Sequence, residues 1–450
     1  MNLYGSVRAD KSVGTGQATV TLSMKWKDMA VASTKHVLTV SDSGGGTPLA
    51  VSSRLIRSLP HPDRKASASH VQFTPKGTLF VAGYPSGVIQ VWDTKTGKEL
   101  RRIESPSGYR GSADYALTPD DFGTLFVPQD GRKYVPNKDP KKPGRREYNG
   151  KVLVWDLATG KEKPSLKAQP GYGILSGHLS PDGGRIITTE RSSGPTGDTQ
   201  IPDLVRMTDT ATGKSWNLAE GYGMATFSAD GKRAYLTVID NGTGAGGGLL
   251  VFDREGKPQP ALIPQTKQRL SFPTLSPDGK YLAVNESKGR INQSGSLKVI
   301  DLASGKLVAE FASGGDYPFL SFAFSPDGRL LATGDYDGKL RVFDVAKRAV
   351  VLEYKFEGMG LGRMLAFSPD GKRLAVPARV KSDGDNVRDP DPLDFPQPRV
   401  YLFDLKKKAP EEIVCPHGWT GGIAFSADGK TLAFGGAGAV HLFDMTGPVK

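Results

Sequence analysis

The sequence has one cysteine, Cys415, in 450 residues. A single thiol can close no disulfide within the chain and can build no cysteine cluster around a metal. No run of apolar residues reaches the length of a membrane-spanning helix, so membrane insertion is not expected. Histidine is sparse, at 36, 61, 70, 178, 417 and 441, and no two stand at zinc-ligand spacing. There is no Gly-x-Ser-x-Gly nucleophile elbow. Gly213-Lys214-Ser215 lacks the upstream glycine of a phosphate loop, since Thr208 stands there. The glycine run at 242–248 joins two strands, and no helix follows it to hold a phosphate. The aspartates at 383, 385, 389, 391 and 394 are broken by prolines and by Val387, which spoils a calcium loop. No motif calls for a cofactor or a metal. Residues 1–16 lack a basic-then-apolar leader. On its face the chain is cytoplasmic, and an extracytoplasmic location would need a segment upstream of residue 1.

Glycine and proline, by contrast, are abundant, at 56 and 32 residues. Both punctuate turns, and many short strands joined by such turns make a barrel, a sandwich or a propeller. The formal charge is +12. Much of the lysine recurs within turns, which fits a solvated surface, although a basic balance also suits anionic partners.

The main feature is a repeat. Phe73-Thr74-Pro75-Lys76-Gly77 returns as Leu117-Thr118-Pro119-Asp120, Leu179-Ser180-Pro181-Asp182-Gly183 and Phe227-Ser228-Ala229-Asp230-Gly231. It returns again at 275–279, 324–328, 367–371 and 425–429. The mean spacing is about 50 residues, in the range of propellers and solenoids. Ser or Thr opens a type I turn, proline fixes φ, Asp follows and glycine supplies positive φ. Each turn is followed by an apolar strand ending in Asp, such as Val-Trp-Asp at 91–93 and 154–156 and Val-Phe-Asp at 251–253 and 342–344. The strands Val152-Leu153-Val154-Trp155 and Leu249-Leu250-Val251-Phe252 are apolar on both faces, which implies burial on both faces. The closing Asp is placed to accept amide bonds in the next turn. Thr-Gly-Lys at 96–98, 159–161 and 212–214, with Ser304-Gly305-Lys306, then leads to a fourth strand. Four strands per unit make a propeller blade.

The Trp-Asp endings at 92–93 and 155–156 resemble the WD40 dipeptide. The Ser-Pro-Asp-Gly turns are similar to those of bacterial-type WD40 and TolB-type propellers. The resemblance covers roughly residues 50–450. It implies an all-β, eight-bladed propeller of four-stranded blades. Seven blades with an appended sheet is the alternative. The sequence departs from the family in one respect. WD40 blades often carry a Gly-His pair before the first strand, whose His bonds an Asp in a later turn. Asp337 sits in such a turn, but its blade has no such pair, and Gly177-His178 stands too near its own turn to serve.

Two further expectations concern organisation. Only six residues follow Asp444, so the last blade lacks its own outer strand. The strand-like segment 53–59 is expected to complete it, which closes the ring and removes exposed edges. Residues 1–46 fall outside the repeat and read as a β-hairpin segment with strands at 18–24 and 36–40, a possible remnant of an Ig-like domain. The propeller is assigned to 47–450.

Naming the strands a to d from the channel outward, the long insertions all fall between b and c. They run 128–150, 190–203, 239–248, 285–296 and 378–399. Long loops on one end of a rigid scaffold are where binding resides. The d–a connections lie at the same end, and several pair a glycine with an aromatic. Tyr109, Tyr172, Tyr222, Tyr317 and Trp419 are therefore candidates to grip a partner at the channel mouth. Packing against the adjacent blade is the other role open to them. The insertion 130–149 carries seven Lys/Arg and three Asp/Glu, and 379–399 carries four Lys/Arg and five Asp.

What the resemblance implies is a non-catalytic, monomeric scaffold for a protein or peptide. A channel-mouth enzyme, lactonase-like or quinoprotein-like, is a second reading. Nucleic-acid binding through the basic 130–149 loop is a third, and it would show steep salt dependence.

Overall fold

The computed structural model describes residues 5–9, 17–26 and 29–39 as backbone. It describes 54–448 apart from 62, 64–65, 105–114, 119–122, 138–143, 193–201, 240–246, 265–267, 288–294, 314–318, 336, 363, 381–398, 408–409, 416–420 and 437. The chain divides into two compact units, Met1–Ala50 and Val51–Lys450.

The first unit is a three-stranded antiparallel sheet of Gly5–Ala9, Gln17–Trp26 and Met29–Thr39, in that order. The alternation of residues 18–24 and 36–40 marks only the second and third of these strands. Gly5–Ala9, which pairs with residues 20–24, carries no comparable pattern.

The second unit is an eight-bladed β-propeller. Blade 3 shows the plan: Tyr172–Leu179 (a), Arg185–Ser192 (b), Leu204–Asp209 (c) and Ser215–Glu220 (d) form one antiparallel sheet. Blades 1, 2, 4, 5 and 6 repeat it. In blade 7 the inner strand is split into Met359–Leu361 and Ala366–Phe367, both paired with Arg373–Val380. Blade 8 takes Ile423–Phe425, Thr431–Gly436 and Ala439–Asp444 from the end of the chain, and Leu55–Pro60 as its outer strand. The expected closure is thus present, with Leu59 opposite Val440 and Ser58 opposite His441.

The core is distributed among the seams between blades. Each of the eight seams has its own buried apolar cluster. The cluster at the seam of blades 8 and 1 joins Leu59, Val440 and Leu442 to Val71, Phe80 and Trp92. Eight equivalent seams leave no blade as an appendage, which disposes of the seven-bladed alternative.

The turn chemistry is uniform. In six a–b turns the serine hydroxyl donates to the aspartate two residues on, at 2.5–2.7 Å. The same hydroxyl accepts the amide five residues on, as from Tyr281 to Ser276 at 2.8 Å. The glycine that follows has positive φ, 73° at Gly279. At the end of strand c, the closing aspartate accepts an amide of the next turn, as Asp93 does from Thr96 at 2.7 Å.

Strand c is apolar on both faces only in blades 2 and 4. Three residues before the closing Asp, the other blades place Gln90, Arg206, Lys298, Arg341, Tyr401 and His441. Most of these side chains find a partner within the fold. Arg206 pairs with Glu190 at 3.1 Å, Lys298 with Glu286 at 2.8 Å, and Arg341 with Glu353 at 2.9 Å. Gln90 donates to Glu99 at 2.8 Å, and His441 shares a hydrogen bond with Ser58 at 2.9 Å. The acids come from strand b in blades 3 and 5, which offsets part of the desolvation cost of a half-buried cation.

Candidate functional site

Antiparallel strands put the a–b and c–d turns at one end of the ring and the b–c loops and d–a connections at the other. All five long insertions lie between a strand b and a strand c. The b–c end is therefore decorated and the a–b end is uniform.

The described part of the blade 2 insertion is paired. Lys133–Val135 and Arg145–Glu147 pair as a two-stranded ribbon between Thr124–Gln129 and Lys151–Asp156. Tyr134 is opposite Arg146 and stands 64% exposed. Its hydroxyl accepts the amide of Gly144 at 3.2 Å. A Cβ on Gly144 would lie 2.5 Å from that hydroxyl, so the absence of a side chain lets the tyrosine lie across the ribbon.

The channel wall is built by the inner strands. Its most unusual residue is Phe272, in strand a of blade 5 (Arg269–Leu275). Its φ is 53°, in the left-handed region that a bulky side chain disfavours. It also precedes Pro273, which narrows its backbone choices further. The ladder to strand b slips between Ser271 and Thr274, so Phe272 sits in a bulge. The ring is 47% exposed. The Phe272 amide donates to the sulfur of Met224, on the inner strand of blade 4, at 3.4 Å.

Tyr222 opens that same inner strand, Tyr222–Phe227, two residues before Met224, and is half-buried. Tyr172 opens the inner strand of blade 3. It is only 7% exposed, and its hydroxyl donates to the Pro202 carbonyl at 3.3 Å, so its ring lies in the wall. Tyr109, Tyr317 and Trp419 lie outside the described residues, as does the aspartate run 383–394.

Toward the a–b end, the inner strands of blades 1 to 4 line an open recess of about 260 Å³. Gln72, Tyr115, His178 and Thr226 are among its lining residues. Tyr115 is fixed there, with its hydroxyl on the Val81 carbonyl at 2.8 Å and its ring against His70 at 4.6 Å. Burial raises the Tyr115 hydroxyl well above its ordinary value, so it remains neutral. Among the described residues no group of three or more His, Cys, Asp or Glu side chains is placed to hold a metal ion.

Phe272 escapes a reading of the sequence by pattern because its role comes from a bulge. The available signal is Pro273, since no other inner strand holds a proline.

Comparison with known proteins agrees with this architecture. Residues 305–344 match the family model described as WD domain, G-beta repeat. That segment spans strand d of blade 5 (Lys306–Ala312) and strands a, b and c of blade 6, ending at Asp344. Among solved structures, the chain is similar to the C-terminal WD40 domain of Sif2, with a TM-score of 0.57 and 15% identity. The match covers 88% of this chain and 98% of that one. No curated protein sequence matches. The fold is an eight-bladed propeller. Within it, residues 305–344 are similar to a WD repeat.

Proposed function

We propose that this propeller is a non-catalytic scaffold that holds a protein or peptide partner at the b–c end, with an anchor in the channel. The observation that carries this reading is Phe272. An apolar ring held 47% exposed in a disfavoured conformation is a cost the fold sustains at one place on the channel wall. Met224 beside it and Tyr222 on the same strand supply an adaptable and an amphipathic surface for an inserted side chain. Tyr109, Tyr317 and Trp419 belong to the same proposal as candidates in the d–a connections.

The test is affinity capture from the native host with wild type and a Phe272→Ser, Tyr222→Ala variant, both checked for folding. Site-specific photo-crosslinking from position 224 accompanies it. A partner that wild type holds, the variant loses and the crosslinker reaches supports the reading. A partner held equally by both removes the channel anchor.

A small-ligand or enzymatic role is the second reading, and it would use the open recess lined by Gln72, Tyr115, His178 and Thr226. Ligand-dependent protection of the inner strands in hydrogen exchange, with no partner captured, would place it first.

A further inference from the structure

We infer that the ribbon of blade 2 is a docking site for an acidic polypeptide segment, separate from the channel anchor. The two faces of a strand pair alternate, and directly opposed residues share a face. Tyr134 and Arg146 are therefore neighbours on one face of the ribbon, and both are exposed. Lys133 is exposed on the other face, and Arg132 precedes the strand. Among the described residues, Arg132, Lys133 and Arg146 form no ion pair. Asp130 is buried and turns inward, with its carboxylate on the amide of Arg132 at 2.8 Å. That acid is thus withdrawn from the surface, Glu147 stands opposite Lys133 on the other face, and Arg146 stays exposed beside Tyr134.

The tyrosine is not a loose side chain. Its bond to the Gly144 amide and the missing Cβ at Gly144 hold the ring against the ribbon in the unbound protein. A pre-positioned aromatic beside an arginine is the composition of an interface anchor, and little freedom is lost when it is covered. The charge of the surface selects the partner. Among its described residues Arg132, Lys133, Arg145 and Arg146 outnumber Asp130 and Glu147, and an arginine fork matches a carboxylate with two parallel bonds.

Both an acidic peptide and a single-stranded nucleic acid offer anions. The ribbon favours the peptide. Binding of a bare strand uses a succession of rings for successive bases. Here the second aromatic of the insertion, Tyr148, packs inward: a Cβ on Gly173 of blade 3 would lie 2.6 Å from its ring. One exposed ring among cations suits a side chain flanked by carboxylates.

The test uses the full chain and a fluorescent oligoglutamate peptide containing one central leucine, with binding read by anisotropy. Expected is binding at low salt that weakens as salt rises. Arg146→Glu and Tyr134→Ala should each weaken it about tenfold, as anchor losses do. Phe272→Ser should leave it unchanged, so failure here is distinguishable from failure of the channel anchor. Both ribbon positions are exposed, and an unchanged melting temperature verifies the fold. No peptide binding by wild type, binding that neither ribbon variant weakens, or tighter binding of an oligothymidylate would each overturn the assignment.

Discussion

Arg54 and Glu411 are 357 residues apart in sequence and 2.7 Å apart in the fold. The guanidinium meets both carboxylate oxygens, the second at 2.9 Å, and both side chains are nearly buried. Arg54 also donates to the carbonyls of Asp444 and Pro448. It therefore joins the start of the closing strand to the outer strand of blade 7 and to the C-terminal residues. Arg373 pins the intervening segment through the carbonyls of Met445 and Gly447.

Arg54→Ala should destabilise the propeller by about 3 kcal/mol, since it leaves a buried carboxylate unpaired. Urea denaturation of the full chain measures this. Glu411→Gln should cost less, because the amide still accepts one bond. An Arg54→Met, Glu411→Leu double variant should recover most of the loss. A wild-type midpoint for Arg54→Ala would mean that the pair lies outside the cooperative unit.

The closing seam also carries a pH dependence. His61, just after the closing strand, is 8% exposed and lies tilted against the buried Tyr84 with ring centroids 4.2 Å apart. Desolvation lowers its pKa from the ordinary 6.5, and Arg102 adds to this against the opposing effects of Asp63 and Glu99. The unfolded chain therefore takes up the proton first as pH falls. The contribution of His61 to stability is complete above 6.5 and is lost between 6.5 and its lower folded value. Melting temperatures across pH 7.5 to 5 should fall in wild type and fall less in His61→Gln. Parallel profiles would show that the imidazole does not contribute.

The turn aspartates, bonded by the serines, make a second, more acidic transition. Asp182 is pushed upward by desolvation, but the Ser180 hydroxyl, the Gly184 amide and Arg254 outweigh this and hold it at about 2. Asp230, Asp278, Asp327, Asp370 and Asp428 are also lowered. Depressed carboxylates contribute stability above their unfolded pKa of 3.8 and lose it as pH falls through the folded values. Acid unfolding should therefore continue below pH 3.8. Ser276→Ala, at a fully buried hydroxyl, should cost about 1–2 kcal/mol and raise the midpoint of that transition. Chemical denaturation at pH 7 and pH 3 measures both.

Phe272→Gly separates stability from binding. Glycine relieves the left-handed backbone but adds freedom to the unfolded chain, so the net change should stay under about 1 kcal/mol. Phe319→Ala, which removes a ring 2% exposed in the seam of blades 5 and 6, should cost about 3–5 kcal/mol. Equal losses at both sites would mean that Phe272 is a core residue.

Most of the architecture is legible in the sequence because it is periodic. The turn serines, the closing aspartates and the outer strand at 55–60 follow from local chemistry repeated eight times. The long insertions fall where the repeat is interrupted. The buried polar row in strand c is less legible. The two strands that display unbroken apolar character, at 152–155 and 249–252, are the two that lack it. Arg206 reads locally as a surface residue, and only its pairing with Glu190, sixteen positions earlier, makes its burial tolerable. Tyr172 illustrates the limit for the site. A glycine-flanked aromatic marks a connection, but whether its ring meets solvent or the Pro202 carbonyl depends on the neighbouring insertion.

The pairing of Leu55–Pro60 with Ala439–Asp444 also orders events during synthesis. The strand that completes the last blade is among the first parts of the propeller to leave the ribosome, and its partner is among the last. Seven blades can stack while the chain grows, but each intermediate ring has an open edge until the C-terminal residues are free. Ring closure is thus a contact of very long sequence separation, made late and expected to be slow. A chain that stalls shortly before residue 439 would hold nearly all of the seams and still have an unpaired strand.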